Sequence, residues 1–220
     1  MKAAQDLAAR AAAAADRFFV ADYSWDRGKG DPVTVRVSLA ADGTWRIDVP
    51  GGAQGGQSDV SVAWNRQGYY QCSGGATVVC VDISTPDGTV PAEYDPVVQH
   101  LFTDWVDEWR DRALPVSVAY AEPLKGSGKD AQCFSLEHNA VAVAVAMPAG
   151  VYCLRDDGLI TAARSGFGTL KLTSRPQAPE PHISLPGDIS DEEPLSTSPP
   201  PKPTPKPTKG EKKGKEKPDA

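Results

Sequence analysis

The chain has 220 residues, of which 40% are hydrophobic, and a formal net charge of −6. This length suits one sizeable domain followed by a tail, and the acidic balance argues against nucleic-acid binding, which needs a basic surface. The longest apolar run, at residues 140–147, is far shorter than the roughly 18 residues of a membrane-spanning helix.

Residues 3–19 are rich in alanine and predict a first helix. Its apolar side chains form one stripe at helical spacing and are Leu7, Ala11, Ala14, Ala15 and Phe18. Asp6 and Arg10 interrupt the segment, so it lacks the apolar core of a secretory signal.

Five strands are predicted between residues 33 and 83, because the apolar period changes there to two. Short turns join them, with Asp42-Gly43 as a hairpin signal, and this arrangement predicts an antiparallel meander. The strand segments are VTVRVSLA at 33–40, TWRIDV at 44–49, DVSVAW at 59–64, YYQC at 69–72 and TVVCVDI at 77–83.

A second helix is predicted in the middle of the chain. Asp95 is expected to cap it, Pro96 suits its first position, and Pro115 ends it. Its apolar stripe consists of Val98, Leu101, Phe102, Trp105 and Trp109. The carboxylates expected on its solvated side are Asp104, Asp107, Glu108 and Asp111.

The rest of the chain returns to strands. AVAVAVAM at 140–147 fits either a strand or a mobile loop at the rim of the sheet. About ten strands and two helices predict the α+β class, with a curved antiparallel sheet wrapped around a helix. The remaining strand segments are 115–121, 132–136, 151–155, 159–163, 169–173 and, more briefly, 182–185.

The C-terminal residues have few large apolar side chains, so a folded domain is predicted at 1–186 and a disordered, Pro- and Lys-rich tail at 187–220. Residues 202–220 carry seven lysines and three acidic residues. These lysines suit contact with an anionic membrane surface or a cell-wall polymer. The alternative is that the tail is only a solubilising spacer.

The four cysteines favour disulfides over a metal or redox site. Seven residues separate Cys72 from Cys80, whereas paired zinc or dithiol ligands are usually two to four residues apart. We expect Cys72 to pair with Cys80 and Cys133 with Cys153; four buried free thiols remain the alternative. Disulfides indicate an extracytoplasmic protein, and we then expect an export signal upstream of Met1 to have been removed.

No motif predicts catalysis, a metal site or a cofactor. The histidines His100, His138 and His182 show no paired spacing, and His100 is expected to be partly exposed. The glycine-rich segments lack the spacing of a phosphate-binding loop. A thiol oxidoreductase would need a reactive cysteine pair, and the chain has no CxxC motif.

The large apolar side chains are the candidate ligand-binding groups. They fit two roles, the lining of an apolar cavity between sheet and helix or an ordinary packed core, and the sequence leaves both open. The candidates are Trp25, Trp45, Trp64, Tyr69, Val98, Leu101, Phe102, Trp105 and Trp109.

The order of elements resembles a known family. After the first helix come FFVADYSWD, the hairpin VSLAADGTWRIDVP, a strand ending in YYQCS, and the late segment YCLRDDGLITAARSGFGTLKLT. Over about residues 3–186 the chain is similar to the LolA/LolB-like lipoprotein-carrier fold, and more narrowly to exported actinobacterial lipoproteins of the LppX and LprG type. It lacks their lipidated cysteine near the start.

This resemblance implies a half-barrel around helices, with no shared catalytic residues. It implies a monomeric cell-envelope protein that binds or carries a lipid or a lipoprotein acyl chain between sheet and helix. The alternative that the resemblance implies is a cell-envelope sensor or protein-interaction domain of the MucB/RseB type, with the same fold and a filled core.

Overall fold

The computed structural model describes residues 2–75, 77–111, 115–139 and 147–200. Within these ranges the chain forms one open sheet of twelve strands in the order β12-β6-β5-β4-β3-β2-β1-β11-β10-β9-β8-β7. Neighbouring strands are antiparallel except for the parallel pair of β12 and β6. The predicted α+β class is therefore confirmed, whereas the predicted antiparallel sheet of about ten strands is a mixed sheet of twelve strands that does not close.

The elements follow the predicted order with short connections. The helices are α1, Lys2–Ala15, and α2, Asp104–Glu108, with 3-10 turns at Gln54–Gly56, Ala92–Tyr94 and Val97–Phe102. The strands are β1, Phe19–Asp26; β2, Val33–Leu39; β3, Trp45–Ala53; β4, Ser58–Asn65; β5, Gly68–Ser73; β6, Val79–Ser84; β7, Val116–Ala121; β8, Ala131–His138; β9, Gly150–Arg155; β10, Ile160–Ser165; β11, Gly168–Leu172; and β12, Asp188–Ser190.

One face of the sheet packs against the helices, and we call it the inner face. The alternation of apolar and polar residues along the strands produces it, since successive side chains point to opposite faces. On this face Tyr23, Val35 and Phe134 are fully buried and share one core with Leu7 of α1 and Trp105 of α2. The core therefore lies between the helices and the strands in the middle of the sheet.

The predicted single mid-chain helix is wrong. A 3-10 turn, Val97–Phe102, ends at Thr103, whose φ of −118° and ψ of −85° are not helical, and α2 begins after it. Asp95 does not cap the segment, because its carboxylate accepts hydrogen bonds from the side chains of Gln99 and His100. The apolar stripe is still buried, so packing holds the segment in place without a continuous helix.

The C-terminal strap, residues 174–199, follows the sheet beyond the boundary predicted at 186. It pairs with β1 and with the β2–β3 turn through backbone bonds such as Gln177 with Val20 and Ala41 N–H to Glu180 O. It then crosses the outer face, where Arg46 on β3 donates to Ser184 O. Residues 182–185 form no strand there, and β12 then pairs with the edge strand β6. Backbone hydrogen bonds fix the strap and need few apolar side chains, so composition did not reveal it. Residues 201–220 and the predicted segment at 140–146 lie outside the described residues.

Candidate functional site

An open cleft of about 460 Å³ lies at one end of the inner face, between the C-terminal end of α1, the β2–β3 turn and α2. This volume is within the range of roughly 300–1,000 Å³ that small-molecule sites occupy. Its lining is Ala14, Ala15, Arg17, Phe18, Phe19, Leu39, Gly43, Trp45, Trp64, Tyr69, Phe102, Thr103, Asp104, Val106, Asp107, Gly158 and Ile160.

One wall of the cleft is a row of three aromatic side chains, Trp45, Trp64 and Tyr69, which we call the aromatic row. Trp45 is the direct strand partner of Trp64, and Trp64 is that of Tyr69, so the three side chains lie at one level on β3, β4 and β5. The ring centroids of Tyr69 are 6.0 Å from Trp45 and 6.4 Å from Trp64. All three residues are only half-buried, so the row presents aromatic surface to the cleft.

The opposite wall comes from the segment around α2. The helical conformation is interrupted at Thr103. Phe102 and Val106 pack against the core, whereas Asp104 and Asp107 lie at the cleft with side chains 55% and 66% exposed. Asp107 pairs with Arg110 at 3.0 Å. This wall is therefore apolar below and acidic at its rim.

His100 lies between two carboxylates beside this rim. Its Nε2 is 2.5 Å from Asp95 Oδ2, and its Nδ1 is 2.6 Å from Asp104 Oδ2. Burial lowers the pKa of the imidazole, but the hydrogen bonds and negative charges of Asp104 and Asp95 outweigh this and raise the pKa of His100 to about 9. The ring is therefore an imidazolium at neutral pH, donating from both nitrogens.

A third wall joins the end of α1 to the β9–β10 turn. Arg17 NH1 donates to Asp157 Oδ2 at 2.6 Å, and the guanidinium also lies 5.8 Å from the ring of Phe19. Gly158 has a φ of +80°, and a side chain there would collide with the backbone of Ala14. Glycine is required at this position, because the left-handed conformation and the close helix leave no room for Cβ.

The structure separates the predicted binding residues into two groups. Trp45, Trp64, Tyr69 and Phe102 line the cleft. The other five, Trp25, Val98, Leu101, Trp105 and Trp109, are buried in the core, where Trp105 is 1% and Trp109 3% exposed. The space between the sheet and the Val98–Trp109 stripe is thus filled by side chains, and the open volume lies at its end.

Sequence reasoning missed several lining residues. The helix predicted to residue 19 ends at Ala15, so Phe18 lies outside it, and β1 begins at Phe19. Phe19 is buried, whereas Phe18 is 39% exposed. Leu39 and Ile160 lie at strand ends, and Arg17 and Asp104 had been assigned no ligand role. The Phe-Phe pair at the start of β1 was the available signal, since two adjacent side chains on extended backbone point in opposite directions and only one can enter the core.

The cysteines form two disulfides, Cys72–Cys80 and Cys133–Cys153, which is the local pairing favoured by the spacing. Each links direct partners on neighbouring strands, β5 with β6 and β8 with β9. By strand alternation both lie on the outer face, away from the cleft. Two disulfides indicate an oxidising, extracytoplasmic environment.

The described part of the chain contains no helix long and apolar enough to span a membrane. The same residues include no group of three or more His, Cys, Asp or Glu side chains placed to hold a metal ion.

Comparison with protein-family models gave no match, and comparison with curated protein sequences gave none.

Proposed function

We propose that the chain is a non-catalytic extracytoplasmic domain that binds or carries an apolar ligand, the alkyl chain of a lipid or of an acylated protein. The observation that carries the proposal is the open cleft, whose volume of about 460 Å³ is lined by Phe18, Leu39 and Ile160 beside the aromatic row. Concave apolar surface with few polar groups is typical of small-molecule sites.

The exposure of the lining supports this function. Phe18 is one of few large hydrophobic side chains that the described part of the chain leaves exposed, and the aromatic row is half-buried at the same place. Exposed apolar surface gathered in one concavity marks a binding site, whereas single exposed residues do not. An alkyl chain that enters the cleft gains about 0.8 kcal/mol for each methylene it buries.

The fold supports the same class of function. An open sheet with helices packed on one face agrees with the half-barrel that the lipoprotein-carrier resemblance implies. Because the interior is packed, the proposed ligand would bind at the end of the sheet–helix interface, in the cleft beside Phe102 and Val106. The two disulfides support a location in the cell envelope, reached through an export signal.

The test is a calorimetric titration with neutral single-chain alkyl glycerol ethers of six to twelve carbons, each below its micelle concentration. Affinity should rise about fourfold for each added methylene, because about 0.8 kcal/mol corresponds to that factor. The rise should stop when the chain fills the cleft. No binding across the series would refute the proposal.

A matched pair of variants tests whether the alkyl probes bind in the cleft. Ala15 is exposed at the end of α1 and lines the cleft, whereas Ala12 is exposed on the same helix and does not. Ala15→Trp should block part of the cleft, so that affinity stops rising at a shorter alkyl chain. Ala12→Trp should leave that chain length unchanged. Equal effects of both variants would place the binding elsewhere.

The second candidate is a cell-envelope sensor or protein-interaction domain of the same fold. The filled core around Trp105 and Trp109 favours it, because it leaves no room for a ligand between sheet and helix. Native mass spectrometry of the protein purified from its own host separates the two candidates. Stoichiometric lipid supports the carrier, whereas an empty protein that also fails to bind the alkyl series supports the sensor.

A further inference from the structure

The ligand of the cleft must suit its charges as well as its apolar surface. On the rim around α2, Asp95 and Asp104 share one cation, the His100 imidazolium, at 2.5 Å and 2.6 Å, and Asp107 pairs with Arg110 at 3.0 Å. These five groups are three carboxylates and two cations. This rim therefore has a net negative charge. Asp104 is the carboxylate that both lines the cleft and lies beside the aromatic row, since burial and then its negative charge raise the pKa of Tyr69.

The cation that lines the cleft belongs to a network in which the charges balance. Among the described lining residues this cation is Arg17. Its partner Asp157, at 2.6 Å, also pairs with Arg155 at 3.2 Å, and Arg155 lies 3.6 Å from Asp130, so two guanidinium groups face two carboxylates. A ligand anion would thus meet a compensated guanidinium on one side and the acidic rim on the other. The rim repels anionic head groups, and the opposite wall offers them no free charge.

The aromatic row complements a cation in a second, independent way. The faces of tryptophan and tyrosine rings carry negative electrostatic potential and attract ammonium groups. Three such side chains lie side by side on adjacent strands and are half-buried at the cleft. Recognition of quaternary ammonium groups commonly uses a cluster of aromatic side chains of this kind.

We propose that the cleft selects amphiphiles with an alkyl chain and a cationic ammonium head group. The alkyl chain lies among Phe18, Leu39 and Ile160, and the head group lies between the aromatic row and Asp104. This inference rests on the proposed function, because it specifies the head group of the apolar ligand.

The test compares three decyl probes that share one chain and differ in head-group charge. They are decyltrimethylammonium, decanoate and 1-decylglycerol, titrated calorimetrically into the full chain at pH 7.5 and below their micelle concentrations. We expect decyltrimethylammonium to bind about 10-fold more tightly than 1-decylglycerol. Cation–π contacts with the aromatic row, together with the charge of Asp104, stabilise a bound ammonium group by the free energy of such a change in affinity. Decanoate should bind the least tightly, and added salt should reduce the difference between the charged probes.

Variants test which side chains cause the preference for the cationic probe. Asp104→Asn should lower the preference for decyltrimethylammonium over 1-decylglycerol severalfold, and Trp64→Leu should do the same by removing one aromatic face. Asp31→Asn is the control, because Asp31 lies in the turn after β1, at the opposite end of that strand from Phe19. The ratio between two probes is the readout, so a general loss of affinity does not imitate the expected result.

The outcomes separate the two proposals. Equal binding of all three probes, or tighter binding of decanoate, overturns the head-group inference and leaves the apolar cleft intact. A preference that survives both Asp104→Asn and Trp64→Leu also overturns it, provided that circular dichroism shows both variants folded. Absence of binding by every probe refutes the proposed function itself.

Discussion

The inner face of the sheet has a filled part and an open part, although both are built from the same residue types. In the filled part Trp105 and Trp109 are 1% and 3% exposed and pack on Phe167 and Tyr152. In the open part Trp45 and Trp64 are half-buried and line the cleft. The difference is the cover: α1 and α2 lie over the filled part, whereas α1 ends at Ala15 beside the open part.

This comparison shows that the burial of a tryptophan here depends on whether helix and sheet both pack against its side chain. A buried indole stabilises the fold through the area it removes from water, and a half-buried indole keeps part of that free energy available for a ligand. The filled part should therefore respond to mutation through stability, and the open part through binding.

The largest expected effect tests the filled part. Trp105→Ala should lower the free energy of unfolding by about 3–5 kcal/mol, because it opens a cavity in a fully packed region. Trp64→Ala should cost much less, since its side chain is partly solvated and loses mainly one hydrogen bond to Pro86 O. Urea unfolding of both variants measures the difference, and equal losses would contradict the division into two parts.

An intermediate effect is expected where the strap reaches the inner face. The amide of Gln71 donates to Leu195 O at 2.9 Å and accepts from Leu195 N–H at 2.7 Å. Backbone bonds also join residues 196–197 to Gln54, Gly55 and Glu93. A chain that ends at Ser190 should therefore be less stable by about 2 kcal/mol than one that ends at Pro200, since each net hydrogen bond contributes about 0.5–1.5 kcal/mol before the cost of ordering the chain.

Equal denaturation midpoints for these two truncated chains would show that the strap does not stabilise the sheet. The full chain is the reference for both. A change in the slope of the unfolding transition would indicate an altered unfolded state instead.

The smallest effect is expected at the border of the two parts, at His100, because solvent reaches its partner Asp104, whose side chain is 55% exposed, and screens the ion pair. The pKa of His100 is about 9 in the folded protein and about 6.5 in the unfolded chain. The stabilisation is therefore complete below about pH 6.5 and is lost as the pH rises through about 9. Wild type should exceed His100→Gln in melting temperature at pH 6.5, and the gap should narrow by pH 9.5. A gap that stays constant over this range would mean that the imidazolium contributes nothing.

Much of the fold was accessible from sequence because period and turn chemistry are local. The alternation Val33, Val35, Val37 and Leu39 placed β2 with the correct face inward, and the Asp42-Gly43 turn is formed, with Gly43 at a φ of +88°. The continuous mid-chain helix was wrong, because the backbone leaves the helical conformation at Thr103. The expected cap was wrong as well, because Asp95 bonds to the His100 side chain. Side-chain bonds between residues four or five apart compete with capping, and spacing does not reveal which forms.

The candidate site was accessible only in part for a different reason. Helical and strand periodicity identified the apolar face, and hence Trp45, Trp64, Tyr69 and Phe102. The end of α1 decides which of those side chains stay uncovered. Its position is set by the contact of Ala14 with Gly158 in the β9–β10 turn, two residues far apart in the sequence. Such long-range contacts leave no mark in local sequence patterns.

The pairing of β12 with β6 also bears on how the protein avoids aggregation. Until residues 188–190 dock, β6 is an unpaired strand edge, able to join the strand of another molecule. Those residues follow the other eleven strands in the chain and are synthesised after them, so this edge stays open while the preceding sheet is already available to fold. The strap thus covers this edge, and molecules that lack it should self-associate.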